Sequence, residues 1–281
     1  MKVAISIETA ADLTKELIEK YDLKVVPFSI QLGEKSAYDG VITTDEIISY
    51  VNEHKVLPKT SAVNEYQYTE HFENILKEYD AIVHFALSSK LSLACANALR
   101  ASKNFKNVFI VDTESLSTGI GLLAIGAKEL ADKGLSAKDI FDISVKRAKN
   151  VQASFALKRL DYLYKGGRCS GLAYFGANLL KIRPQIIVQD GKMVSGKKYR
   201  GNFAHVVNNY CKDVLEEFSK PDLTRAFVTY TTASEDIIEK AKEHLKEKGF
   251  KEILITRAGG TITSHCGEDC LGILYINDGE R

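Results

Sequence analysis

Short apolar runs alternate with longer amphipathic stretches in the first half of the chain. Each short run has four to seven residues, is rich in β-branched side chains and lies between turn or cap residues, which is typical of buried strands. The longer stretches repeat apolar residues at helical spacing. We predict strands at residues 2–7, 24–30, 81–86 and 108–111. We predict helices at residues 14–21, 44–53, 65–77, 91–103, 117–133 and 137–149.

Cap residues mark the ends of several of these helices. Thr44, Asn64 and Ser117 are candidate N-caps, whose side-chain oxygens would accept from the first backbone N–H groups. Gly134 stands where a helix is expected to end. Strands that alternate with helices predict a parallel sheet, because right-handed crossovers place helices on both of its faces. The first half is therefore predicted to be a doubly wound α/β unit.

The second half of the chain contains a hairpin pattern. The dipeptide at residues 190–191, Asp-Gly, favours a type I′ turn and joins apolar runs at 184–188 and 193–198. Further strands are predicted at residues 151–156, 226–231, 252–257 and 272–277, and helices at residues 203–218 and 235–248. A hairpin beside further strands and helices predicts a mixed α+β unit.

The length of 281 residues corresponds to two domains at roughly 150 residues each. We place an N-terminal α/β domain at residues 1–150 and a C-terminal α/β domain at residues 151–281. No stretch rich in Pro, Ser or Gly separates them, so we expect the two domains to pack tightly. The crevice between them is the expected place for a ligand.

Charge and cysteine content narrow the classes of function. The net charge is +1 and acidic and basic residues are interleaved, so no basic surface for nucleic acid or an anionic membrane is expected. No apolar run approaches the ~20 residues that span a bilayer, and Glu8 and Asp12 come too early for a signal peptide. Five scattered cysteines do not resemble a disulfide framework. We expect a cytoplasmic protein that neither binds nucleic acid nor inserts stably into a membrane.

Three polar segments are candidates for ligand binding. The segment 88–92, Ser-Ser-Lys-Leu-Ser, directly follows a predicted strand, at the sheet edge where ligands bind in this architecture. Backbone N–H groups at the start of the next helix suit an anion. Thr60 and Ser61 precede another helix, and His265 lies in a predicted loop of small residues. Each segment has a structural alternative. Ser88 or Ser89 can cap a helix, and Thr60, Ser61 and His265 can lie in solvated loops.

Two other chemistries remain open at this point. His265, Cys266 and Cys270 provide at most three zinc ligands, and no second cysteine pair completes the set. Ser92, His265 and Asp112 would form a nucleophilic triad, although the segment around Ser92 is not a nucleophile elbow. The sequence has no phosphate-binding loop, and the glycines at 119 and 121 lie inside an apolar helix, where close packing explains them better than a dinucleotide site.

Taken together, these segments resemble the DegV family of bacterial fatty-acid-binding proteins along essentially the whole chain. The segment LDYLYKGGRCS at residues 160–170 and the order of all the blocks are the specific features. The other matching blocks are ETAADL (8–13), KTS (59–61), SSKLS (88–92), VDTESLSTGIG (111–121), KIRP (181–184), DG (190–191), Arg200 and GGTITSHCG (259–267).

The resemblance implies a two-domain α/β protein that binds one long-chain fatty acid between its domains. It implies that hydroxyl groups of Thr60, Ser61 and Ser92, together with His265, bind the carboxylate, and that Arg200 is a basic residue nearby. In bacteria such proteins present the carboxylate to a separate fatty acid kinase, and the acyl phosphate feeds phospholipid synthesis.

We therefore expect a lipid carrier that has no catalytic residues, metal or cofactor and whose partner is a fatty acid kinase catalytic subunit. Phosphoryl transfer needs metal and phosphate ligands, for which the chain has no motif. Lys165 and Arg168, on a predicted glycine turn, are expected to dock that partner. A serine-type hydrolase that cleaves acyl esters through Ser92 and His265 is the alternative.

Several positions depart from the family pattern, among them residues 62–64, which read Ala-Val-Asn where the family usually has Gln-Pro-Ser. Leu93 and Ala94 replace a Gly-Thr pair, and Glu268 and Asp269 replace the Pro-Gly of a Gly-Pro-Gly segment. Glu8 stands for Asp in the first block. The loss of a threonine hydroxyl and the gain of two carboxylates predict weaker anion binding and put the kinase partnership in question.

The acyl tail is expected to supply most of the affinity. Burial of a sixteen-carbon tail gains on the order of 11 kcal/mol, at about 0.8 kcal/mol per CH₂. Association costs about 4–15 kcal/mol, so the head group mainly fixes register. The expected tail-lining residues are Leu116, Ile120, Leu123, Phe155, Leu172, Phe175 and Leu179, each of which ordinary core packing would also explain.

Overall fold

The computed structural model of the chain describes residues 1–169 and 183–279. Its strands are β1 (Val3–Glu8), β2 (Lys24–Val26), β3 (Ser29–Leu32), β4 (Lys35–Tyr38), β5 (Lys59–Ser61), β6 (Ala81–Ala86), β7 (Val108–Asp112), β8 (Val151–Leu157), β9 (Arg183–Gln189), β10 (Lys192–Tyr199), β11 (Arg225–Tyr230), β12 (Glu252–Arg257) and β13 (Cys270–Ile276). Its helices are α1 (Lys15–Lys20), α2 (Thr44–His54), α3 (Glu65–Ile75), α4 (Ala94–Ser102), α5 (Thr118–Asp132), α6 (Ala137–Ala148), α7 (Asp161–Gly166), α8 (Phe203–Glu217), α9 (Glu235–Lys248) and α10 (Gly260–Cys266). A 3₁₀ turn, Thr9–Ala11, follows β1.

A parallel sheet of four strands, in the order β2-β1-β6-β7, forms the core of the first half. Every residue of β1 and β6 is buried, which explains why both strands are apolar runs rather than alternating patterns. The predicted α/β class is confirmed.

The predicted strand at 24–30 is wrong as a single element. Its first part, β2, pairs with β1, whereas β3 belongs to a small antiparallel sheet in the order β4-β3-β5. Pro27 lies at the break and has no N–H for a ladder hydrogen bond. The next residue, Phe28, instead donates its N–H to the Thr9 hydroxyl at 3.1 Å. This small sheet carries Thr60.

The second half contains a mixed sheet of six strands, in the order β10-β9-β8-β13-β11-β12. Only β11 and β12 pair in parallel among the neighbouring strands of this sheet. Asp190 and Gly191 both have positive φ angles, 49° and 76°, as the type I′ prediction requires. The tip of this hairpin contacts the first half, because the Ser88 hydroxyl donates to the Gly191 carbonyl at 2.7 Å.

Helix α5 packs against strands of both the parallel and the mixed sheet. It is therefore buried on most of its surface and carries no clear polar face. Gly121 lets α5 approach the segment between the 3₁₀ turn and α1, since a Cβ there would lie 2.6 Å from the Leu13 side chain. The strands of the parallel sheet lie within residues 3–112 and those of the mixed sheet within 151–276. The domain boundary at 150 stays a prediction.

Only one of the three predicted N-caps has the expected role. Asn64 caps α3 and accepts from the N–H of Gln67. Helix α2 is capped by Thr43 instead of Thr44, whose hydroxyl donates to the Ala258 carbonyl at 2.7 Å. Ser117 makes no capping bond to α5 and donates its hydroxyl to Asp12.

Candidate functional site

The segment that carries His265 is a helix and not the loop we predicted. Helix α10 begins at Gly260, where the two carboxylate oxygens of Asp39 accept from the N–H groups of Gly260 and Thr261, at 2.7 and 3.0 Å. Asp12 accepts from the N–H of Gly259 at 2.7 Å. Two acidic residues more than 200 positions away thus fix the start of α10.

The Asp12 carboxyl has an unusual titration. Burial raises its pKa to about 8; hydrogen bonds from Ser117 and Gly259 oppose this shift, and the charge of Asp39 adds to it. Asp12 also has a positive φ of 52°, a conformation that Asp and Asn tolerate better than most residues. Below about pH 8 this carboxyl therefore keeps its proton beneath the binding site.

His265 faces both a hydroxyl group and a glycine. Its Nε2 lies 2.9 Å from the Thr60 hydroxyl. Its Nδ1 lies against Gly166, where a Cβ would approach to 2.9 Å, so a side chain at 166 would displace the ring. Burial first, and then the positive charge of Arg168, lower the pKa of His265 to about 4. The imidazole is therefore neutral at neutral pH; with its ring hydrogen on Nε2 and donated to Thr60, the Thr60 hydroxyl hydrogen is left for a ligand.

The three serines of the 88–92 segment have three different environments. Ser88 is buried and donates to Gly191. Ser89 is exposed, and its N–H donates to Asp112 at 3.2 Å. The Ser92 oxygen accepts from the N–H of Ala94 at 3.2 Å, which leaves its own hydrogen free. Only Ser92 lines the cavity described next.

A cavity of about 230 Å³ brings these groups together. Its lining residues are Phe28, Thr60, Ala62, Leu87, Leu91, Ser92, Leu93, Leu116, Arg168, Met193, Thr261, Ile262, His265 and Cys266. Behind it lies an apolar recess of about 20 Å³, lined by Leu116, Ser117, Phe155, Thr229, Tyr230, Thr231, Ala258, Ile262, Cys266, Cys270, Gly272 and Leu274. Leu116, Ile262 and Cys266 form the wall that the two spaces share. A chamber with largely apolar walls and a few polar groups thus adjoins an apolar recess.

The structure assembles three of the five residues expected to bind the carboxylate. Thr60, Ser92 and His265 line the cavity. Ser61 does not line it and is exposed, because successive side chains of β5 point to opposite faces.

Arg200 is exposed and does not line the cavity, so its place near the carboxylate stays a prediction. Met193, near the start of β10, lines the cavity. Arg200 follows the end of that strand, at Tyr199.

The expected tail-lining residues separate in the same way. Leu116 and Phe155 line the recess. Ile120 and Leu123 do not line either space and belong to the main hydrophobic core around α5, so ordinary packing explains them. The remaining three, Leu172, Phe175 and Leu179, lie outside the described residues.

Of the two expected docking residues and the two carboxylate substitutions, only Arg168 lines the cavity. Arg168 is exposed and lines the mouth, whereas Lys165 is exposed on α7 and does not line it. Asp269 lies 2.6 Å from the Lys158 ammonium, and Glu268 lies 3.7 Å from the Arg159 guanidinium. Neither carboxylate lines the cavity, so these substitutions do not place negative charge against the head-group site.

The two alternative chemistries find no support in the geometry. His265 contacts Thr60, and the Asp112 carboxylate accepts from the backbone N–H groups of Ser89 and Glu114, so the triad is not formed. Within residues 1–169 and 183–279, no group of three His, Cys, Asp or Glu side chains is arranged to hold a metal ion. Over the same ranges, no helix combines the length and apolar character needed to cross a bilayer.

A second polar cluster, which the sequence did not reveal, lies inside the parallel sheet. We call Ser6, Glu8, Tyr68, His71 and His84 the sealed cluster. The Ser6 hydroxyl lies 2.8 Å from His71 Nε2 and 2.9 Å from His84 Nδ1. Glu8 accepts from the Leu87 N–H at 2.8 Å and from the Tyr68 hydroxyl. Burial, together with the nearby His84, lowers the pKa of His71 to about 3.

Comparisons with known proteins agree on one family. Residues 2–278 match the family described as "Uncharacterised protein, DegV family". A DegV domain-containing protein of Clostridium acetobutylicum is 29% identical, with 98% of each chain covered. A fatty acid-binding protein of Thermotoga maritima is 28% identical, with 97% of this chain and 96% of the relative covered.

Solved structures show the same fold over nearly the full length. A fatty-acid-binding DegV family protein of Thermus thermophilus superimposes with a TM-score of 0.89 at 25% identity, covering 98% of this chain and 99% of that one. A stearic acid-binding protein of Eubacterium ventriosum gives a TM-score of 0.83 at 25% identity, covering 99% of both chains. The sequence match and the shared fold together show that this chain belongs to the DegV family.

Proposed function

We propose that this protein binds one long-chain fatty acid and presents its carboxylate to a fatty acid kinase catalytic subunit. One observation carries the first half of the proposal. The hydroxyls of Thr60 and Ser92 and the neutral imidazole of His265 line a chamber that shares a wall with an apolar recess. The resemblance to solved fatty-acid-binding members of the family supports the same ligand class.

The chamber replaces the hydration of a carboxylate with neutral donors. An ionised carboxylate leaves water only where hydrogen bonds compensate for the loss, and bonds to a charged group are stronger than neutral ones. Ser92 and the Thr60–His265 pair each offer a hydrogen. Within the described part of the chain no carboxylate lines the chamber, and Arg168 adds a positive charge at its mouth. The site therefore favours an anion over a neutral ligand.

The recess supplies the apolar environment for the tail, and it must widen on binding. Its volume of about 20 Å³ is near that of one water-sized sphere, far below the volume of a long acyl chain. Apolar side chains at the shared wall and behind it, such as Ile262 and Phe155, separate to admit the tail. Burial of the tail at about 0.8 kcal/mol per CH₂ offsets the cost of this movement.

Presentation to the kinase rests on the position of the mouth. Leu93 is 71% exposed and lines the chamber beside the exposed Arg168, so the carboxylate end of the ligand lies close to the surface. Lys165 lies on the same α7 segment as Gly166, which contacts His265. Replacement of Lys165 by alanine is expected to slow acyl phosphate formation by the kinase while oleate affinity stays unchanged.

Ligand class is tested on the protein as purified from a bacterial host. Organic extraction should release fatty acid, and native mass spectrometry should show one bound molecule. The delipidated protein should take up oleate. A preparation without lipid that also fails to take up oleate contradicts the proposal.

The carboxylate site is tested with a matched pair of serine variants. Ser92→Ala should weaken oleate binding about tenfold or more, because a bond to a charged group contributes about 1.5–3 kcal/mol. Binding of methyl oleate should weaken much less. Ser89→Ala serves as the control, since Ser89 lies in the same segment but is exposed and outside the chamber. Equal losses for acid and ester in Ser92→Ala would remove Ser92 from the carboxylate site.

A further inference from the structure

Thr261 carries a buried hydroxyl group that has no hydrogen-bond partner among the described residues. The residue is 3% exposed, and its Oγ1 is fully buried. The other hydroxyls of α10 are satisfied: Ser264 donates to the Gly260 carbonyl at 2.7 Å, and Thr263 lies 3.1 Å from the Thr44 hydroxyl. An unpaired buried hydroxyl costs free energy, so its presence calls for a partner that the ligand-free protein does not supply.

Thr261 lies on the same face of α10 as His265. Thr261 and His265 are four residues apart on the helix, a spacing that places their Cβ atoms about 5–6 Å from each other. Both line the chamber, and neither lines the recess. Ile262 and Cys266, one position further, line both spaces. Helix α10 therefore turns a polar edge toward the chamber and an apolar edge toward the recess.

A count of available hydrogens shows what the site gains from Thr261. A carboxylate has two oxygens with about four acceptor positions. The Thr60–His265 pair offers one hydrogen, because the bond between the two groups uses the other. Ser92 offers a second. Thr261 supplies a third, and it does so in a chain where Ala94 stands in place of the threonine expected after the 88–92 segment.

We propose that Thr261 is a carboxylate-binding residue, which donates its hydroxyl hydrogen to a carboxylate oxygen held between Ser92 and the Thr60–His265 pair. The inference rests on the proposed fatty acid function and adds a head-group contact on α10 to it. The cost of the unpaired hydroxyl in the free protein is recovered when an anionic ligand binds. Thr261 thus selects acids over esters and alcohols of the same chain length.

The test compares Thr261→Val with the wild-type full chain, using oleate and methyl oleate as probes. The isosteric change should weaken oleate binding about tenfold to a hundredfold and methyl oleate binding about threefold or less. The melting temperature of the delipidated protein should stay the same or rise, because the variant removes an unpaired buried hydroxyl. A merely structural threonine would show the opposite, a lower melting temperature with affinity unchanged. Thr261→Ser should restore most of the oleate affinity.

Thr263→Val is the matched control, since its hydroxyl is buried and already bonded. It should lower the melting temperature and leave the preference for acid over ester intact. If Thr261→Val binds oleate as tightly as the wild type does, the proposed role of Thr261 is overturned while the proposed function stands. Failure of the wild-type protein to bind oleate overturns both.

Discussion

Three histidines among the described residues contact hydroxyl groups, and of these only His265 lines the chamber. His84 lies in the sealed cluster, where Ser6 contacts Nδ1 and Glu8 lies 3.6 Å from Nε2. His265 contacts Thr60 at a similar distance, but its ring lines a chamber of about 230 Å³. The residue types are nearly the same in both places, so residue type alone does not identify the binding site.

What separates the two regions is spare hydrogen-bonding capacity next to empty space. In the sealed cluster Glu8 accepts from the Leu87 N–H and the Tyr68 hydroxyl, and His84 Nε2 is buried without a hydrogen-bond partner among the described residues, but the surroundings are closely packed core. In the chamber, the Ser92 hydrogen and the Thr261 hydroxyl likewise have no partner among the described residues. An unpaired polar group inside packed core has no room for a ligand, whereas one beside a cavity can bind one.

The largest effect is expected from Glu8→Ala in the sealed cluster. The change leaves the Leu87 N–H and the Tyr68 hydroxyl buried without an acceptor, so the free energy of unfolding should fall by about 2–5 kcal/mol. Urea unfolding of the delipidated protein measures this loss. The folded fraction should keep its preference for oleate over methyl oleate. Full stability with a lost preference would mean that the two regions are one functional unit.

A smaller effect is expected at Asp12, the buried carboxyl beneath the chamber. Because its pKa in the folded protein is about 8, the unfolded chain loses this proton first as the pH rises above about 4. Folding stability from this group therefore declines between about pH 4 and pH 8. Asp12→Asn removes the decline, and Asn tolerates the positive φ angle.

The stability of Asp12→Asn relative to wild type should thus be greater at pH 8.5 than at pH 5, by about 1 kcal/mol or more. His71 and His265, whose lowered pKa values act in the opposite direction, are present in both proteins and cancel in the difference. Urea unfolding at the two pH values gives the result. If the difference in stability between variant and wild type is the same at both pH values, Asp12 is ionised in the folded protein at neutral pH.

The smallest effect is expected at the carboxylates of residues 268 and 269. Asp269 pairs with Lys158 and Glu268 pairs with Arg159, and neither carboxylate lines the chamber. Glu268→Gln and Asp269→Asn should each change oleate affinity less than twofold and stability by less than about 1 kcal/mol. Titration with oleate at low salt measures the first quantity. A gain of tenfold or more in affinity would restore the expectation that these charges repel the head group.

Local patterns predicted most strands and helices, since their signals lie within the element. Helix α9 and strands β6 and β12 begin and end at the predicted residues, because each is a clear periodic or apolar run between turn signals. Helix α10 was missed because its seven residues begin with a glycine and show no periodic apolar face, and its start depends on Asp39 and Asp12.

The site residues also depend on contacts between distant segments, which local patterns do not predict. Thr60, Ser92 and His265 come from three distant segments, and only the family resemblance related them before the fold did. Ser61 and Arg200 do not line the chamber, Ser61 because side chains alternate along β5. Thr261 carries no sequence signal beyond its spacing of four from His265. Its importance depends on an unpaired hydroxyl that only the folded protein reveals.

The most direct test of the account is an electron density map of the delipidated protein crystallised with stearate. We predict that the carboxylate lies within hydrogen-bond distance of Ser92 and the Thr60–His265 pair. The tail should pass Leu116 and Ile262 into a widened recess beside Phe155. A ligand whose carboxylate lies outside the chamber, or whose tail leaves the recess closed, would contradict the central claim that these two spaces form one fatty acid site.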